Sequence, residues 1–413
     1  MLALPELQPS ERLLCGPGPS NPEPSVLEAM NQPLLGHLDP ELHAILDEVV
    51  EMLRLVYGMP RGLVLPLHCT GTAGMEAGLA NLLEPGDTAV VAQSGFFGRR
   101  IAEIARRYGA NVVEVSAELG EAVPNERILD ALDEHPQARL LAVVHAETST
   151  GVEHPLEELS VELRDRETLL MADCVTSLGG VRLEVGAWGV DYAYSCTQKC
   201  LAAPPGMSPV AVSEAALERI RARRTPVPFS FDLLLLERYW VERPVTYHHT
   251  APILNIYALH QALRGVLEEG LVRRWLRHDA AGGHLQSELA KRGLEVLAEP
   301  GHRLAPLTAV RVPEGVDGKA VQGRLLNEHG IEIGGGLGPD APPSWRIGLM
   351  GRNASPATAD RVLEALDDVL SAGERAPAGG RTAERHEGEH VLPLRPGGRA
   401  DDVPAAGRQA AAR

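Results

Sequence analysis

The strongest constraint on the fold is an alternation of short apolar runs with amphipathic segments. Thr88–Ala92, Val112–Val115, Leu140–Val144 and Leu169–Ala172 are brief stretches dominated by valine, leucine and alanine. They are too short for helices and read as strands buried on both faces. Between them, Arg99–Tyr108 closed by Gly109, and the segments 125–134 and 155–164, read as helices. Strands joined through helix-length crossovers pair in parallel. The pattern therefore predicts an α/β domain with a mainly parallel sheet covered on both faces.

The flanks read differently. Residues 1–20 are rich in proline and glycine and read as an arm. Leu42, Ile45, Leu46, Val49, Val50, Leu53 and Val56 recur at helical spacing and predict an amphipathic helix. A helical stretch over 254–276 leads into a long helix over 278–292, then extended runs at Leu294–Leu297 and Thr308–Val312. A helix over 318–329, extended runs at Ile331–Ile333 and Trp345–Met350, and a last helix with Val362, Leu363, Leu366, Val369 and Leu370 on one face complete a smaller α+β domain. A chain of 413 residues exceeds one compact core. We expect an arm (1–20), a large domain (21–268), a small C-terminal domain (269–372) and a disordered tail (373–413), whose Ala, Gly, Arg, Pro and acidic residues cannot bury a core.

Several polar residues stand where apolar ones are the rule. Lys199 follows the extended run Val190–Tyr194 and precedes the turn Pro204-Pro205-Gly206. A lysine buried at a strand end has a depressed pKa, and its neutral amine can attack a carbonyl. Asp173 ends the run Leu169–Ala172, a position that in α/β proteins often faces a crevice at the carboxyl edge of the sheet; it could equally serve as a cap or turn residue. Enzymes that use pyridoxal phosphate (PLP) need such a pair, a lysine for the aldehyde and an acid for the pyridine nitrogen. Thr70-Gly71-Thr72 follows an apolar run and opens a helix, where backbone N–H groups can receive an anion. Phe97 sits in Gly95-Phe96-Phe97-Gly98 after a strand. Arg346, between Trp345 and Ile347, needs a partner, either an internal acid or a bound carboxylate. Cys196 and Cys200 flank Lys199 without other clear ligands, and no metal site is expected.

Asp173-Cys174-Val175-Thr176-Ser177-Leu178-Gly179-Gly180 with Ser195-Cys196-Thr197-Gln198-Lys199 resembles the class V aminotransferases of fold type I, and within them the alanine–glyoxylate and serine–pyruvate enzymes. Gly16-Pro17-Gly18-Pro19-Ser20-Asn21, Glu147-Thr148-Ser149-Thr150-Gly151-Val152, Tyr247-His248-His249-Thr250 and Trp345-Arg346-Ile347-Gly348 keep that family's order from about residue 16 to 370. The resemblance implies that Lys199 binds PLP and carries the proton and that Asp173 faces the pyridine nitrogen. It implies that Thr70, Gly71, Thr72 and Gln198 hold the phosphate and that Phe97 stacks on the ring. It also implies that Ser149 touches cofactor or substrate and that Gly18 and Arg346 receive the substrate carboxylate. Thr72 stands where the family usually has histidine, and Phe97 where it often has tryptophan. Tyr247 and Thr250 match residues that the neighbouring subunit lends to the phosphate, implying a homodimer with shared sites.

A net charge of −17 argues against nucleic acid or an anionic membrane as partner. Five cysteines without a paired framework suit a reducing, cytoplasmic setting, and neither a membrane span nor a secretory signal is read. The expected reaction is transamination between alanine or serine and a small 2-oxo acid such as glyoxylate or pyruvate. The alternatives are ureidoglycine as donor, a cysteine desulfurase on the same fold, or a non-catalytic binding protein.

Overall fold

The computed structural model describes residues 6–373; residues 1–5 and 374–413, and with them nearly all of the expected tail, lie outside the described residues. In chain order the elements are β1 (Leu13–Leu14), α1 (Pro24–Ala29), α2 (Pro40–Tyr57), β2 (Leu63–Leu67), α3 (Gly71–Leu82), β3 (Thr88–Gln93), α4 (Phe96–Arg107), β4 (Asn111–Ser116), α5 (Asn125–Glu134) and β5 (Ala138–Val144). A hairpin of β6 (Ala146–Glu147) and β7 (Val152–Glu153) leads to α6 (Leu156–Leu163), β8 (Leu169–Asp173), β9 (Tyr192–Tyr194), β10 (Ser208–Val212), α7 (Glu214–Arg221) and α8 (Leu233–Trp240). Then come α9 (Ile253–Glu269), α10 (Leu271–Lys291), β11 (Leu307–Arg311), α11 (Gly318–His329), β12 (Ile331–Glu332), β13 (Gly334–Gly335), β14 (Ser344–Gly348) and α12 (Pro356–Gly373).

Seven strands form the central sheet in the order β2-β10-β9-β8-β5-β3-β4. All pairs are parallel except the two made by β10. Every residue of β2, β3, β8 and β10 is buried, as continuous apolar runs require when helices cover both faces. Helix α3 lies unusually close to the sheet. A Cβ on Gly78 would sit 2.4 Å from the Tyr192 ring, and the Tyr192 hydroxyl donates to the Gly74 carbonyl at 2.8 Å. The α2 positions read from periodicity are buried, with Ile45 partly so.

A second core gathers Ala281, Leu285 and Leu289 of α10 with Trp345 and Ile347 of β14 and Val362 and Leu366 of α12. Its three-stranded sheet, β11-β14-β13, is antiparallel. The arm belongs to this core: β1 pairs in parallel with β12, and Cys15 is fully buried there. Two sequence expectations need correction. The long helical region breaks at Gly270, which adopts φ 85°, rather than near residue 277. The run Leu294–Leu297 is not a strand; it lies beside β11 through Leu297 N to Ala309 O and Arg311 N to Glu295 O, with a single bridging pair, Val296 and Val310.

Candidate active site

The parallel sheet gathers the polar residues at one edge. The carboxyl ends of β2, β9, β8, β5 and β3 share that edge, and β10, running the other way, places its first residue Ser208 opposite Leu67 there. Thr70–Thr72 follow β2, Lys199 follows β9, Asp173 ends β8, Ser149 follows β5 and Phe97 follows β3. This is the crevice position expected of ligand sites in open α/β sheets.

Asp173 is buried. One carboxylate oxygen accepts from Val175 N at 2.9 Å and the other from the Tyr194 hydroxyl at 2.5 Å. Burial nevertheless pushes its carboxyl up to about 6. The two hydrogen bonds and the Lys199 charge do not offset the loss of water, so a cation against Asp173 would be strongly favoured.

Lys199 lies in the turn after β9, and its amine donates to the Pro17 carbonyl. The Ser20 hydroxyl donates to the Lys199 carbonyl at 2.8 Å, tying arm to turn. Gly18 adopts φ 112°, and a Cβ there would approach Lys199 Cδ at 2.7 Å, so the lysine stem runs where only glycine leaves room. Burial pushes the Lys199 amine down, and the nearby Arg346 guanidinium adds to this. Arg346 is 1% exposed on β14, with its Nε donating to Gly335 O at 2.6 Å. Lys199 is partly buried and Arg346 buried, and an anion bound between the two positive groups would relieve their repulsion.

The Thr70 side chain caps α3 by accepting from Ala73 N at 3.2 Å, and Thr72 is exposed in the first turn. Phe97 is partly buried at the start of α4. Glu147 is fully buried and accepts from Phe97 N at 2.9 Å and from Ser149 N and its hydroxyl at 2.9 and 2.7 Å. Ser149 in turn accepts from Phe96 N at 2.9 Å, so its hydroxyl is held within the wall of the crevice and its proton is already used. The Gln198 side-chain oxygen is buried without a partner among the described residues. Tyr247 is 56% exposed and Thr250 is exposed, both on the loop before α9. Tyr194, Glu147 and Arg100 also belong to this neighbourhood, and sequence reading did not single them out. The available signals were a tyrosine two positions after Tyr192 on one strand face, an acid two before Ser149, and an arginine three after Phe97.

The family model Aminotransferase class-V matches residues 16–344. This chain belongs to the class V aminotransferases and is a transaminase of fold type I. Its particular likeness is to a crystal structure of an alanine–glyoxylate aminotransferase from Nostoc sp., 48% identical with a TM-score of 0.86, over 89% of this chain and 98% of that one. The Rattus norvegicus alanine–glyoxylate aminotransferase is 39% identical over 87% of this chain and 88% of its own length. The (S)-ureidoglycine–glyoxylate transaminase of Bacillus subtilis is 36% identical over 87% and 90%.

Proposed function

We propose that the chain uses PLP to move an amino group between a small amino acid, alanine or serine, and a small 2-oxo acid such as glyoxylate or pyruvate. One observation carries this reading: a buried acid, Asp173, shares one crevice with a partly buried lysine, Lys199, and a buried arginine, Arg346. A protonated pyridine nitrogen suits the acid, and a substrate carboxylate suits the cation pair. The Gln198 amide, turned over, offers its N–H₂ to a phosphate beside the α3 N-terminus.

In this reading Thr70, Gly71, Thr72 and Gln198 hold the phosphate, Phe97 and Ser149 line the ring, and Asp173 keeps the ring nitrogen protonated. When bound, PLP withdraws electrons from the substrate Cα through its ring. Arg346 grips the carboxylate through parallel N–H groups and fixes which Cα bond faces the lysine. The Lys199 amine, its pKa pushed down by burial, takes the proton from Cα and returns it on the far side of the exchange. Gly18 leaves its stem room to swing.

Desulfurization needs a reactive thiolate, and the cysteines argue against it. Burial pushes the Cys15, Cys69 and Cys200 thiols up to about 12 and Cys196 to about 11, and raises Cys174 as well. A donor panel with glyoxylate as acceptor tests the substrate class. We expect kcat/KM for alanine or serine to exceed that for (S)-ureidoglycine by at least about 10-fold, one 1.4 kcal/mol step. The reverse order would move the assignment to ureidoglycine.

The chain acts as a cytoplasmic homodimer in this proposal. Five unpaired cysteines suit a reducing compartment, and the exposed Tyr247 and Thr250 suit donation to a neighbour's phosphate site. Tyr247→Phe with Thr250→Val is expected to weaken PLP retention, each lost bond to a charged group costing about 1.5–3 kcal/mol. Mixed with Lys199→Ala, this variant forms heterodimers in which one site carries both defects and the other neither. Activity should return after subunit exchange; no recovery once exchange is demonstrated removes the shared site.

A further inference from the structure

Arg100 is one turn beyond Phe97 on α4. Its guanidinium carbon lies 4.6 Å from the centre of the Phe96 ring and 5.3 Å from that of Phe97. Its Nη1 donates to the Thr72 hydroxyl at 3.3 Å, the one hydrogen bond this side chain makes among the described residues. Burial pulls its pKa down, while the nearby acids Glu103, Glu147 and Asp173 act to raise it without any of them bonding to it. The side chain is thus a partly desolvated cation, held on two aromatic rings, aimed across the crevice at the first turn of α3. Four of the five guanidinium N–H donors have no protein partner among the described residues.

The contact with Thr72 has a direction. Because the Thr72 oxygen accepts from Arg100, its own proton is left to donate outward. Thr72 is exposed, and the Gly71 and Thr72 N–H groups belong to the helix first turn, which has no intrahelical acceptors. We propose that Arg100 is the cation of the cofactor's phosphate subsite, acting on the phosphate directly and through the Thr72 hydroxyl. It thereby supplies charge at a turn that offers only neutral side chains, Thr70 and Thr72. This rests on the PLP reading above. It goes beyond it because no other cation touches that turn among the described residues.

The test compares PLP with pyridoxal, which shares ring and aldehyde but lacks the phosphate, by equilibrium titration of apoprotein followed through absorbance and protein fluorescence. In Arg100→Gln the dissociation constant for PLP should rise by about 10- to 100-fold, the range of a lost charge-assisted bond. That for pyridoxal should change less than about 2-fold. Arg100→Lys should recover part of the PLP affinity. Equal loss for both ligands means Arg100 serves Phe97 or the fold, and overturns the proposal, as does unchanged PLP affinity. Retained pyridoxal binding shows that the variant is folded. Wild-type protein that binds neither ligand defeats the PLP reading itself, a different result from any variant effect.

Discussion

Lys199→Ala is expected to leave a protein that binds PLP without a borohydride-reducible link and turns over alanine at least about 10⁴-fold more slowly. Two functions leave together. The amine that attacks the aldehyde is gone, and so is the base that moves the Cα proton, a role that alone contributes about 10²–10⁴-fold. The surroundings offer no substitute. A neighbouring guanidinium, Arg346, is a poor nucleophile, and the thiols of Cys196 and Cys200 are pushed up by burial. Small exogenous amines should restore part of the rate, because the deleted side chain leaves space beside Gly18. A variant that still gives a reducible link after peptide mapping excludes Lys199 as the attachment point.

Asp173→Asn is expected to retain PLP but to slow the half-reaction with alanine by about 10²–10⁴-fold. The amide has nearly the same shape, and its oxygen can still accept one of the two bonds from Val175 and Tyr194. It cannot stabilise a charged pyridinium. The pH dependence should change as well. Burial holds the Asp173 carboxyl near 6 when no cation faces it, and a bound pyridinium should pull that value down. Cofactor binding therefore favours the ionised acid and releases a proton wherever the free site is protonated. PLP affinity in the wild type should fall as pH drops below about 6, and this dependence should vanish in Asp173→Asn. Single-turnover spectra across pH check both statements, and near-normal turnover in the variant would free Asp173 from the role.

The sheet was legible because most of its strands are buried on both faces; the edge strand β4 is the exception, with only Val115 buried. Thr88–Ala92, Leu140–Val144 and Leu169–Ala172 carry almost no polar residue and recur between amphipathic segments. Lys199, Asp173 and Arg346 were legible for the opposite reason, as charges inside apolar surroundings. Arg100 was not, because the reading started α4 at Arg99. The helix begins at Phe96, where Glu147, distant in sequence, accepts from the Phe97 and Gly98 N–H groups. Only that earlier start puts Phe97 and Arg100 on neighbouring turns of one face. Tyr194 escaped because its hydroxyl partner, Asp173, is set by the lateral order of β8 and β9. The run 294–297 misled because β-type residues form a strand only where a neighbour keeps register with them.

The strand contributed by the arm bears on how the chain acquires its shape during synthesis. Leu13 and Leu14 are synthesised long before their ladder partners, Ile331 and Glu332, and the Cys15 carbonyl waits for Gly348 N. The smaller core therefore cannot be closed by its own consecutive residues: its edge is completed by a segment far upstream in sequence. A pairing so remote is entropically slow and forms late. Pro17 and Gly18, which flank the lysine, are fixed by the same event. Nascent chains thus acquire the large sheet before they acquire a finished catalytic crevice, and loss of either the Leu13–Cys15 segment or the Ile331–Gly348 segment would strip the same layer.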